Sequence, residues 1–198
     1  MRLQGVRIGF VLTGSHCTLN KIFGEIERFV AEGAEVYPVV SYSVASTDTR
    51  FGAASYWCQK LHEITRRPII KTIVDAEPIG PQKLLDLLVV APCTGNTIAK
   101  LANGITDTPA LMAVKAHLRN QRPVVIAIST NDGLGLNARN IATLLTTKNI
   151  FLVPFGQDNP FEKPNSLVAH VDKILDTVCF ALEGKQIQPL LVEYKLTK

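Results

Sequence analysis

The sequence predicts an α/β protein built as a doubly wound parallel sheet in three layers. Three observations carry this. Short apolar runs alternate along the chain with longer segments whose apolar residues recur at helical spacing. The runs are apolar throughout rather than at every second position, which is the pattern of strands covered on both faces. Several runs also lead into small, polar or glycine-containing segments, as at the carboxyl edge of an open sheet where ligands collect.

Val6 to Leu12 is the first strand, followed by the loop Thr13 to Thr18. Leu19, Ile22, Phe23, Ile26, Phe29 and Val30 mark the next helix, which Gly33 ends. Val36 to Val40 is strand two, closing on Ser41, Tyr42 and Ser43 before a polar stretch to Arg50. Phe51, Ala54, Trp57, Leu61 and Ile64 outline an amphipathic helix, and Ile69 to Val74 reads as a short third strand. Asp75 to Pro81, with Pro78, Gly80 and Pro81, reads as a loop.

Leu84 to Ala91 then covers the end of a short helix and a central strand that Pro92 stops. A helix runs from Thr97, and Thr108-Pro109 is an N-cap with proline at the first position of the following helix. Val124 to Ile128 is a fully apolar strand leading to the loop Ser129 to Asn137 and a helix with Ile141, Leu144 and Leu145. Ile150 to Val153 is expected as the last strand. Phe155 to Pro164 reads as a loop, and Asn165-Ser166 as the cap of a final helix with Leu167, Val171, Ile174 and Leu175. The expectation is a single domain over 1–198, with 185–198 as an extension.

A chain of 198 residues with 46% hydrophobic and 19% charged residues is long and apolar enough to bury a full core, and is unlike a disordered one. Its formal charge of +4 comes from scattered Lys and Arg, which argues against nucleic acid as a partner. Cys17, Cys58, Cys93 and Cys179 form no C-x-x-C pair, so neither zinc nor a disulfide framework is indicated and a reducing cytoplasm is expected. No apolar stretch approaches membrane-spanning length, and Val6 to Leu12 reads as a strand rather than a signal peptide.

The candidate chemistry lies in the loops. Gly14 and Ser15 suit a phosphate, or serve only as turn glycine and helix cap. Ser41 and Ser43 stand as further contacts of that kind, or as ordinary strand-end turn serines. Thr94, Asn96 and Thr97 stand as ligand contacts, against simple capping of the helix that follows. Amides such as Asn96 and Asn131 suit a ring edge, Asn131 and Asn137 are candidates for the substrate side, and Arg139 offers a guanidinium suited to a carboxylate, or an ordinary surface charge. No residue is assigned as catalytic and no metal is expected. The first loop lacks G-x-G-x-x-G and strand two lacks a terminal acid, so a mononucleotide is favoured over a dinucleotide.

Ala91-Pro92-Cys93-Thr94-Gly95-Asn96-Thr97, continued by Ala102-Asn103-Gly104, resembles the P-A-S-A-N-T segment of the flavin-dependent cysteine decarboxylase family. That family's M-N-x-x-M-W-x-N-P clamp has a counterpart in Thr130-Asn131, Leu134, Gly135 and Asn137-Ala138. The resemblance implies a flavodoxin-like, Rossmann-like fold, FMN as cofactor, and homo-oligomers. It also implies that Gly14, Ser15, Ser41, Ser43, Thr94, Asn96 and Thr97 face the cofactor.

The departures narrow this. The family places a histidine fourteen residues before the motif's proline, where this chain has Pro78, which cannot transfer a proton. The clamp has lost its methionines and its tryptophan. These changes are similar to a branch of the family that forms one half of a two-component oxidoreductase in spore-forming bacteria. That resemblance covers nearly the whole chain. It implies oxidation of a small cyclic dicarboxylate, a mother-cell cytoplasm, NADP held by the partner protein, and a flavin site either used or vestigial.

Overall fold

The computed structural model describes residues 1–194. Its elements follow in chain order as β1 (Arg7–Leu12), α1 (Leu19–Ala31), β2 (Glu35–Val40), α2 (Tyr42–Ser46), α3 (Ala54–Thr65) and α4 (Ile73–Ala76). Then come β3 (Leu87–Thr94), α5 (Gly95–Ala102), α6 (Pro109–Leu118), β4 (Val124–Thr130) and α7 (Ala138–Leu145). Last are β5 (Ile150–Leu152), β6 (Phe155–Gln157), β7 (Leu167–Ala169) and α8 (Ile174–Leu182).

The sheet runs β2-β1-β3-β4-β7-β6, with β5 also paired to β4. Strands β2, β1, β3, β4 and β5 are parallel, while β7 and β6 run antiparallel at the edge. Neighbouring residues of one strand feed opposite faces. Phe10 and Leu12 join Phe23, Phe29, Trp57 and Leu175 in a core on one side, under α1, α3 and α8. Val11 joins Val90, Ile98, Val114, Ile126 and Ile141 on the other, under α5, α6 and α7. Double-sided burial is why the strands read as unbroken apolar runs.

Helix α1 shows how local sequence sets an end. Leu19, Ile22, Phe23, Ile26 and Phe29 form its buried stripe. Gly33 then takes a left-handed φ of 88°, with its N–H on Val30 O and the Ala34 N–H on Phe29 O. These two bonds satisfy carbonyls the helix leaves open.

Several sequence expectations need correction. Pro92 does not stop the central strand, which continues to Thr94 through a cis Ala91–Pro92 bond. Because proline brings no donor, the register with β4 shifts between Val90 and Cys93 instead. Ile69 to Val74 is not a strand: a lone bridge joins Val39 to Ile70, and Thr72 then caps the single turn α4. Val74 lies in that turn and is 74% exposed, unlike the buried positions expected of a central strand. The expected loop Asp75 to Pro81 is accordingly part helix, with a 3-10 turn at Glu77–Ile79 that buries Ile79.

Directly after β2, Ser41 caps α2 where a polar loop was expected. Finally, Ile150–Leu152 is not the last strand. β5 covers only the first half of β4, and Leu167 and Val168, expected in a helix, pair with Thr130 and Ser129. That hairpin protects backbone groups a bare edge would leave open. The segment 186–192 also returns to the sheet: the Phe155 N–H donates to Leu190 O and the Val192 N–H to Phe155 O, while Ile187 is buried. Residues 195–198 of the expected extension lie outside the described residues.

Candidate functional site

Strands β1, β3 and β4 end at one edge, and a single hydroxyl ties the first two together. Thr13, 1% exposed, donates from Oγ1 to Pro92 O at 2.7 Å and accepts the Thr94 N–H at 3.1 Å. Beyond it the chain turns tightly, with the Ser15 N–H on Thr13 O.

On one side of this crest lies a cleft of about 780 Å³. Ser15, Lys21, Asn96, Ser129, Asn131 and Lys163 are among its lining residues. Ser15 and Ser129 meet at 2.8 Å between their Oγ atoms, closing the floor between β1 and β4. The start of α5 lies against the β4 loop because Gly95 has no side chain. A Cβ there would stand 2.5 Å from Thr130 Oγ1 and 2.9 Å from Asn137 Nδ2. Asp132 braces that loop, accepting the Leu136 N–H through Oδ1 and Asn137 Nδ2 through Oδ2.

On the other side lies a smaller groove of about 400 Å³, lined by Ser41, Ser43, Thr94, Thr97, Lys100 and Thr108 among others. Three of its hydroxyls are helix caps. Ser41 Oγ accepts the Val44 N–H, Thr94 Oγ1 the Thr97 N–H, and Thr108 Oγ1 the Leu111 N–H. A capping hydroxyl spends a lone pair and keeps its proton. Ser41 and Thr108 therefore still have an O–H to donate into the groove, as does one member of the Thr94–Thr97 pair, whose Oγ1 atoms lie 3.0 Å apart. Lys100 adds a cation held by Asp107 at 2.6 Å. This donor set fits a phosphate.

The sequence-predicted residues thus divide. Gly14, Thr94 and Asn96 line both cavities. Ser15, Asn131 and Asn137 belong to the cleft, and Ser41, Ser43 and Thr97 to the groove. Arg139 lies exposed on α7 and lines neither. Asn137 is committed to Asp132 and, through Oδ1, to Asn140 Nδ2 at 2.9 Å, so it shapes the loop. Sequence reasoning missed Thr13, Lys21, Thr108 and Lys163. Thr108 was legible only as a helix cap, and Lys21 left a trace as a cation in the first turn of a helix with no acid there.

The remaining ionisable groups sort by burial. Cys93 is fully buried inside β3, which pushes its thiol well above the ordinary range, whereas Cys17 is exposed at the cleft. His16 bonds Ser43 Oγ through Nε2 at 3.1 Å, and desolvation lowers its pKa. A third cavity of about 880 Å³ adjoins the cleft and holds Glu25, whose carboxyl is pushed up by burial against the opposing pull of Arg28. Pro78 sits in the 3-10 turn and does not line the cleft. Among the described residues no group of three or more His, Cys, Asp or Glu side chains is placed to hold a metal, and no helix is long and apolar enough to cross a membrane.

A mostly parallel sheet with hydroxyl- and amide-lined pockets at its carboxyl edge defines a flavodoxin-like α/β protein. Comparison places it more narrowly: the chain belongs to the flavoprotein family, whose model matches residues 1–182. The dipicolinate synthase B subunit of Bacillus subtilis (strain 168) is 56% identical over 191 residues, 96% of each chain. The crystal structure of the corresponding B subunit from Bacillus halodurans has a TM-score of 0.90 at 52% identity, covering 98% of this chain and 99% of that one. The FMN-dependent cysteine decarboxylase SpaF, at 19% identity and a TM-score of 0.63, covers 90% of this chain and 95% of its own, and shares the fold.

Proposed function

We propose that the chain is one component of dipicolinate synthase, an NADP-linked oxidoreductase that converts dihydrodipicolinate to pyridine-2,6-dicarboxylate. The observation that carries this is the near full-length likeness to the B subunit of that enzyme. The chemistry of the cleft supports it. In the reaction the dihydropyridine ring loses a hydride to NADP and a proton to a base, leaving an aromatic ring and NADPH. The dinucleotide is assigned to a partner, the A subunit of dipicolinate synthase, because β1 leads into Thr13-Gly14-Ser15-His16 and not a dinucleotide fingerprint.

This chain's own part is binding and orientation. Asn96 and Asn131 present amides to the cleft, and Ser15 with Ser129 floors it. The smaller groove suits the phosphate of FMN, with the O–H groups of Ser41 and Thr108 as donors and Gly14 leaving room beside Ser43. FMN, if held there, would supply two-electron redox chemistry. A decarboxylase reading lacks its proton-transfer group at Pro78.

The test is co-expression with the NADP-binding partner. Dihydrodipicolinate-dependent NADPH formation by the pair is the expected result, and its absence overturns the proposal. A flavin absorption band on the purified chain reports the groove independently.

A further inference from the structure

We infer that Lys21 is the carboxylate-anchoring, specificity-determining residue of the cleft. The inference rests on the dicarboxylate reading above. Taking a dianion out of water costs far more than any neutral ring edge repays, so the site needs a cation near each buried carboxylate or N–H groups aimed at it. Arg139, the guanidinium nearest in sequence to the cleft loop, lies exposed on α7 outside the cleft.

The charged residues lining the cleft are Lys21, Asp132, Asp158 and Lys163. Lys163 is held by Asp158 at 3.1 Å. Asp132 is occupied within its own loop. Lys21 alone of the four has neither an ion pair nor a side-chain hydrogen bond among the described residues.

Its position is otherwise unfavourable. The first turn of α1 contains no acid, and a cation there opposes the helix dipole. Lys21 sits one helical turn beyond the Ser15 loop and also lines the adjoining larger cavity, so it stands where the two meet. Lys21 is itself exposed, so at the mouth of this concave polar site its ammonium is free to pair with a carboxylate ligand.

The experiment uses the full chain in complex with its NADP-binding partner. Three variants are compared with the unmodified protein: Lys21→Met, which keeps the length and removes the charge, Lys21→Arg, and Arg139→Ala. Calorimetric binding of pyridine-2,6-dicarboxylate and of pyridine-2-carboxylate is measured beside KM and kcat. Lys21→Met should weaken dicarboxylate binding and raise KM about tenfold or more. It should lose most of its preference over the monocarboxylate, while kcat falls much less. Lys21→Arg should restore binding to within about threefold, and Arg139→Ala should match the unmodified protein. Unchanged affinity in Lys21→Met, with the unmodified complex binding and active, overturns the assignment of Lys21 alone. Failure of the unmodified complex to bind or turn over the dicarboxylate overturns the function itself.

Discussion

Thr13 and Thr94 hold the site together across 81 positions of sequence. The Thr13 hydroxyl takes the Thr94 backbone N–H at 3.1 Å while donating to the carbonyl of Pro92 at 2.7 Å. One side chain therefore sets the separation of the β1 and β3 loops, which between them line both cavities.

Replacing it tests that role. Thr13→Val keeps the shape but orphans a backbone N–H and a carbonyl beside a buried position. We expect a loss of about 2–4 kcal/mol in denaturant unfolding. Thr13→Ser should recover most of it. If Thr13→Val unfolds at the same denaturant concentration, the staple contributes nothing.

Gly95→Ala sets two effects against each other. Alanine favours a helix over glycine by about 1 kcal/mol. Here its Cβ would meet Thr130 Oγ1 at 2.5 Å, and overpacking of that kind costs about 1–3 kcal/mol. The net expectation is a modestly less stable protein with a displaced Asn131–Asn137 loop and a raised KM. A gain in stability with unchanged KM would refute the close packing.

Asn96 separates function from stability. Its side chain is exposed and has no hydrogen-bond partner among the described residues, yet it faces both cavities. Asn96→Ala should change unfolding free energy by no more than about 0.5 kcal/mol. Turnover by the complex should drop about tenfold or more. Full activity would remove Asn96 from the site.

His117 supplies a pH signature. It is completely buried, its Nε2 lies 3.1 Å from Pro123 O and its Nδ1 has no partner among the described residues. Desolvation lowers its pKa from 6.5 to about 4. Between those values the unfolded chain binds the proton and the folded chain does not. The stability this group contributes is therefore complete above pH 6.5 and falls away toward pH 4, by about 3 kcal/mol. His117→Gln should flatten the pH dependence of unfolding by about one proton over that window, and an unaltered slope would contradict it.

Legibility followed the range of the interactions. Elements with a strong local signature were readable: the α1 stripe ending at Gly33, the Thr108-Pro109 cap, and the apolar runs of β1, β3 and β4. The β6–β7 hairpin was not, because Leu167 and Val168 are strand only through pairing with Thr130 and Ser129. α2 hid in a five-residue turn whose sole local cue was the Ser41 cap.

The same division holds for the site. By itself the sequence determined a mostly parallel, doubly covered sheet and the loops that carry polar groups at its carboxyl edge, since periodicity, caps and glycines act within a few residues. Tertiary structure alone decided that these loops form two cavities and not one, with Gly14, Thr94 and Asn96 shared between them. It also brought Lys21 into the cleft and left Arg139 outside. Those outcomes depend on how strands far apart in the chain stack side by side, a relationship no local pattern encodes.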